Sequence, residues 1–312
     1  MGAITPDVVN FDLSTVSGFS SSAAGCVADA FHHPNHVAGV TPWLTIRHGG
    51  ALAAGDHYAP WVLGGTMNLF IEFLMASATT AFSVCSLGTP QFTNAGPTTG
   101  VGHLPAIVNS STGATLLTTP STISRYEAAL AAAIDHFDML KVIESGASAG
   151  MQLVGLAGMN TARPSQVKGI LGYYPIPEVR KVLSGGDTLH WSVITGLYGT
   201  ATQAAWDAIS LANKRLGSIN YFLEQSTIPT ILPWYIVLDR VGNHIKPYGD
   251  PAKPNSAPHD IAQFEPLISL LRAHGISVTV SVFPIRFGWE LLPLESAAVS
   301  ALVETWMAAR VA

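Results

Sequence analysis

Residues Gly146 to Gly150, GASAG, set a serine in a G-x-S-x-G frame. An apolar run, MLKVIES, precedes the frame and an apolar helical pattern, MQLVGLAGM, follows it. A turn this tight between strand and helix needs small flanking residues and lifts the serine hydroxyl above the sheet at a helix N-terminus. There the helix dipole and the backbone N–H of Ala149 can stabilise negative charge, so Ser148 is a candidate nucleophile. The competing reading is a Gly-rich turn that only packs the helix closely. With 29 glycines in the chain such a short pattern also arises by chance, and the strand–turn–helix context is what makes this one informative.

A second group lies about 100 residues upstream, where His48, Gly49 and Gly50 close the run PWLTIR and are followed by Gly55 and Asp56. An HGG turn at the end of such a strand can offer backbone N–H groups to an oxyanion hole. Glycines suit it because the main chain must approach the substrate carbonyl closely. His48 itself reads as a brace for the loop rather than a proton carrier.

Taken in order, these pieces resemble the α/β-hydrolase superfamily, in particular its HGG-type esterase and lipase branch. The resemblance runs from about Thr41 to the C-terminus. It is carried by PWLTIRHGGALAAGD, SVCSLGTP, DMLKVIESGASAG, VKGILGYYP, TILPWYIVLDRVGNHIKP and LISLLRAHGISVTVSVFP. It implies an α/β-hydrolase fold, a mainly parallel sheet with helices on both faces, and a serine hydrolase acting on a carboxylic ester or similar acyl bond. Ser148 then matches the nucleophile, Asp239 the orienting acid, and Gly49, Gly50 and Ala149 the oxyanion hole. Asp239 also has a simpler reading, as a strand-end residue that turns the following loop. No metal or other cofactor is implied.

The sequence departs from the family at the base. The family carries its catalytic His shortly after the final strand, commonly as His-Gly, whereas this chain has FPIRFGWELLP, with Phe287-Gly288 at that place and no His after His274. A serine needs a base within hydrogen-bond reach to become nucleophilic at neutral pH. Either another His has moved in, with His244 the first candidate, His259 the second, and His103 and His190 behind them, or the protein is a catalytically inactive, hydrolase-like structural or binding protein. The inactive form would be a pseudoenzyme in a larger assembly such as a virus particle.

Composition bears on that choice. Charged residues make up 11% of the 312 residues and hydrophobic ones 48%, against roughly 25% charged in an ordinary soluble domain. Mean hydropathy is +0.34, raised mostly by alanine. So few surface charges favour an oligomer, an assembly component or an apolar ligand. A net charge of −5 offers no field for nucleic acid. Cys26 and Cys85 form no metal-ligand spacing and read as buried free thiols. His32, His33 and His36 lie in HHPNH, which Pro34 keeps from helical ligand geometry, so a solvated loop is expected there rather than a metal site. The N-terminus shows no basic segment leading into an apolar one, hence no signal peptide, and the compartment stays open. The window Trp61 to Phe82 is apolar enough to suggest a membrane span, but Glu72, a Gly pair and a Ser/Thr-rich second half point to a buried helix running into a strand.

The elements needed to position these groups are legible as alternating apolar and helical runs. Residues 1–40 are expected to be irregular, with one α/β domain over 41–312. TPWLTIR, TAFSVCSL, MLKVIES, VKGILGYYP, TILPWYIVL and ISVTVSVF read as strands. NLFIEFLMASA, Arg125 to His136 (capped by Ser124), MQLVGLAGM, IAQFEPLISLLRAHG and SAAVSALVETWMAAR read as helices. Residues 89–123 read as a Gly/Pro/Thr-rich connection, and 176–228 as a cap-like insertion over one end of the sheet.

Overall fold

Strands buried on both faces of a parallel sheet read as continuous apolar runs, with crossover helices between them, and the chain folds accordingly. A computed structural model describes residues 5–47, 68–88, 90–93, 96–101, 122–147, 149–173, 208, 210–239, 264–283 and 293–312. In chain order the elements are β1 (Val8–Asp12), β2 (Val27–Phe31), β3 (Trp43–Arg47), α1 (Asn68–Ala76), β4 (Ser83–Gly88), β5 (Pro90–Thr93), β6 (Gly96–Val101) and α2 (Thr122–His136). They continue with β7 (Val142–Ala147), α3 (Ala149–Asn160), β8 (Val167–Tyr173), α4 (Leu211–Gly217), α5 (Ile219–Leu223), β9 (Trp234–Asp239), α6 (Phe264–Ala273), β10 (Val278–Phe283) and α7 (Pro293–Val311).

Eight strands form one sheet in the order β1-β2-β4-β3-β7-β8-β9-β10, and β5 and β6 pair separately as a hairpin. β1 with β2 and β2 with β4 are antiparallel. Every other pair in the large sheet is parallel. One face buries Trp43, Leu130, Met151, Leu153, Ile219, Trp234 and Leu267 in a single apolar cluster, which puts α2, α3, α5 and α6 on that side. The other face buries Leu44, Ile46, Ile71, Leu74, Ile143, Val303 and Met307 beneath α1 and α7.

Helix α3 shows why its sequence is apolar all round. Met151, Leu153, Val154, Leu156, Ala157 and Met159 are all buried, as expected of a helix enclosed by neighbours rather than lying on a surface. It contacts β7 and β8 beneath it and α2, α4 and α5 beside it. A Cβ at Gly155 would stand 2.8 Å from both Ile219 and Trp234, so a glycine there lets α5 and β9 close on the helix.

Several expectations are corrected. Residues 1–40 are not irregular: β1 and β2 extend the sheet beyond β4. VADAF has Ala or Asp at three of its five positions and so carries little strand propensity; its pairing with both β1 and β4 supplies what its composition does not. Residues 89–123, expected to be a plain connection, contain the β5–β6 hairpin. Ser124 is not the cap of α2, which begins at Thr122. The HHPNH segment is an anchored loop rather than a solvated one. His33 is buried at 4% exposure, with Nε2 on the Ser77 carbonyl at 3.1 Å; His36 Nδ1 meets Ser83 Oγ at 2.9 Å, and His32 pairs with Asp7.

The apolar window at 61–82 yields the nine-residue α1 and the start of the run into β4. Among the described residues no helix is long and apolar enough to cross a membrane. Cys26 and Cys85 are free and buried. Of the 176–228 insertion, α4 and α5 are described; Ile219 and Leu223 of α5 are buried in the α3-side core.

Candidate active site

The order β4-β3-β7-β8 determines where a site can form. From β3 the chain crosses to β4 on one side, while β7, β8, β9 and β10 run outward on the other. The direction of winding thus reverses between β3 and β7, and in open α/β sheets ligands bind beyond the carboxyl ends of the strands at such a point. The strands that lead into the two motifs end there. β3 ends at Arg47, immediately before His48-Gly49-Gly50, and β7 ends at Ala147, immediately before Ser148. Arg47 and Gly146 are register partners on these adjacent strands, with the strand axes ~4.8 Å apart. Ser145 Oγ donates to the Thr45 carbonyl at 2.8 Å, a buried tie between the same two strands.

The turn after β7 has the tightness that G-x-S-x-G requires. Strand β7 ends at Ala147 and α3 begins at Ala149, so one residue position separates strand from helix. A Cβ on Gly146 would lie 2.8 Å from the Gly150 carbonyl and from Met151 N, closer than any side chain tolerates. The glycine is therefore needed by the backbone crossing whatever the chemistry. Ala149 occupies the first position of α3, where backbone N–H groups have no partner within the helix and point out of its N-terminus.

Asp239 closes β9, two strands from β7 and about 10 Å across the sheet at ordinary strand spacing. Its register partner on the outer side is Phe283, the last residue of β10. The chain that leads to Phe287 thus starts beside Asp239. Ser148, His48, Gly49, Gly50, His244 and Phe287 lie outside the described residues, as do His103, His190 and His259.

The histidines divide sharply. Of the 11 in the chain, five are among the described residues, and all five sit at the opposite end of the sheet, where the parallel strands begin. The rings of His32 and His36 pack on Trp43, the first residue of β3, and His33 is bonded to Ser77 and Ser83 just before and at the start of β4. His136 stacks on Phe11 at 3.8 Å, and His274 Nε2 meets the Leu223 carbonyl at 2.6 Å before β10 starts. Strand β3 alone separates these rings from the candidate site by ~13 Å. The other six histidines, His48, His57, His103, His190, His244 and His259, lie outside the described residues. Among the described residues no cluster of three or more His, Cys, Asp or Glu could hold a metal.

Beneath the strand ends lies a polar group that the sequence reading missed. Arg47 (1% exposed) and Glu144 and Thr45 (both 0%) sit on the α2-facing side of β3 and β7 with Tyr126 of α2. Arg47 Nη1 donates to the Leu87 carbonyl at 3.0 Å. Burial lowers its pKa to about 10, which still leaves it charged at neutral pH. Burial pushes Glu144 up to about 8, with the nearby Glu127 adding to the rise, so it is mostly protonated at pH 7. A charged residue inside an apolar strand run, Glu in MLKVIES and Arg at the end of PWLTIR, was the available signal.

No family model and no curated protein matches the chain by sequence. Among solved structures it is similar to a phosphonate-inhibited esterase B from Lactobacillus rhamnosis, at 15% identity and a TM-score of 0.57, over 97% of this chain and 84% of that one. It is similar to carboxyl esterase 2 from the mycorrhizal fungus Tuber melanosporum, at 12% identity and TM-score 0.58, over 100% and 89% of the two chains. A third is the Pyrococcus horikoshii acylaminoacyl peptidase, at 9% identity and TM-score 0.62, over 99% of this chain and 42% of that one. The chain has the α/β-hydrolase fold. At these identities the likeness establishes the fold alone.

Proposed function

We propose that the protein is a serine hydrolase acting on a carboxylic ester or similar acyl bond. Ser148 attacks the carbonyl carbon, and the developing oxyanion is held by backbone N–H groups of Gly49, Gly50 and Ala149. Asp239 orients the base, and His244, in the loop after Asp239, replaces the His that the HGG-type esterase branch carries where this chain has Phe287. The observation that carries this reading is the register of Arg47 with Gly146. It brings the chain into the HGG turn and into the GASAG turn at neighbouring strand ends, as shared oxyanion donors require.

The deciding experiment is labelling of the folded protein with a fluorophosphonate probe. Labelling lost in Ser148→Ala and strongly reduced in His244→Ala supports the assignment. An unlabelled wild type, or labelling that survives Ser148→Ala, refutes it.

A second reading has its own observation. Residues 284–312, which follow β10, contain no His, and His274 is bonded at the far end of the sheet. Loss of the base gives a catalytically inactive protein whose Gly-rich turns persist because the backbone crossing needs them. Its low charge then serves packing in an assembly or an apolar ligand.

A further inference from the structure

The polar group under the strand ends is almost wholly buried. Arg47 Nε and Nη2 are buried with no hydrogen-bond partner among the described residues, while the Tyr126 hydroxyl lies within hydrogen-bond reach of Thr45 and of the Glu144 carboxyl. A buried donor left without an acceptor is costly, so the acceptors near Arg47 matter to the strand pair. The set is chemically complementary: Arg47 brings two free donors, Glu144 brings acceptors, and the Tyr and Thr hydroxyls can act as either. The Tyr126 hydroxyl is the hub, near enough to Thr45, Glu144 and Arg47 for each to bear on its ionisation.

We propose that Tyr126, Thr45, Glu144 and Arg47 form a single buried hydrogen-bond network, and that this network positions the C-terminal ends of β3 and β7 for catalysis. Thr45 and Glu144 are register partners, one step before Ile46 and Ser145 and two before the Arg47–Gly146 pair. The network thus spans the strand pair directly below the proposed oxyanion hole and ties it to α2. The groups facing Glu144 are Tyr126 and Glu127 from α2, and Thr45 from β3; α3 presents Gly158. These four are positioning residues, since none reaches the reacting atoms. The catalytic half of the inference rests on the hydrolase reading; the structural half does not.

The test is amide hydrogen exchange by mass spectrometry on Tyr126→Phe, read over 43–47 and 142–147, with 278–283 of the edge strand β10 as internal reference. Fluorophosphonate labelling rates are measured alongside. The expected result is tenfold or faster exchange in the two central strands with β10 unchanged, and tenfold or slower labelling at an equal folded fraction. Glu144→Gln, which keeps the hydrogen bonds, should exchange no faster than wild type at pH 6, while Glu144→Leu should resemble Tyr126→Phe. If Tyr126→Phe does not fold, the isosteric Thr45→Val carries the same comparison. Unchanged exchange in the central strands, or a uniform rise across the sheet, overturns the inference. A wild type inert to the probe refutes the hydrolase reading and the catalytic half alone, while exchange still decides the network.

Discussion

Asp239 and Phe283 are register partners, the last residues of two neighbouring parallel strands. The segment carrying Phe287 therefore leaves the sheet next to the proposed orienting acid, where an imidazole would be of most use.

This juxtaposition makes Phe287→His the sharpest discriminator between an active and an inactive protein. If the base is missing, restoring an imidazole should introduce or raise hydrolysis of a small activated ester, because triad members act as a unit and loss of one costs ~10⁴–10⁶ in turnover. If another His already serves, the change should leave the rate within a few fold. Initial rates on p-nitrophenyl acetate for the wild type, Phe287→His, and Phe287→His with Ser148→Ala settle it. Activity that persists in the double variant would belong to neither account.

Gly146→Ala should fail for steric reasons alone. The new methyl meets backbone atoms of Gly150 and Met151 at 2.8 Å, which cannot swing aside as a side-chain end would. A destabilisation of about 1–3 kcal/mol is expected from overpacking, together with loss of probe labelling at Ser148. Chemical denaturation and labelling on the same preparation measure both, and a fully stable Gly146→Ala would mean that the crossing is looser than described.

Histidines at the far end of the sheet serve as controls. His274→Ala removes a 2.6 Å bond to the Leu223 carbonyl and should cost about 1 kcal/mol in stability without changing the labelling rate. Reduced labelling of the folded variant would contradict the placement of this ring away from the site.

Glu144 gives a pH signature whose sign is fixed. Its carboxyl is raised from 4.5 to about 8 in the folded protein, so the unfolded chain releases this proton first. The associated stability is present in full below pH 4.5, declines as pH rises toward 8, and is constant above that. Glu127, raised to about 7, slopes in the same direction, so the informative quantity is a difference between variants. Relative to wild type, Glu144→Gln should gain a few kcal/mol between pH 5 and 8. Parallel stability profiles for the two proteins would show that Glu144 titrates normally.

How far the sequence reached can be seen element by element. MLKVIES followed by GASAG gave β7, the turn and α3, because the apolar run and the small flanking residues each demand that geometry independently. The same logic placed β3 and β9 and so the ends that carry His48 and Asp239. VADAF did not read as a strand, since its place depends on two partners far away in sequence rather than on its own propensity. Arg47 and Glu144 were passed over although each interrupts an apolar run, because which partners bury such a charge is decided only in the assembled sheet. The base stayed open because a loop side chain can reach a site from many points along the chain.

The adjacency of β3 and β7 joins segments about 100 residues apart in the chain. The sheet is in effect two halves that meet along one seam, residues 5–101 on one side and 122–312 on the other. The candidate site lies on that seam and belongs to neither half. During synthesis it cannot form until β7 has left the ribosome, and closing so long a loop makes this pairing a slow, late event in folding. Two separately expressed halves, each inert, should therefore regain probe reactivity only when mixed and reassembled.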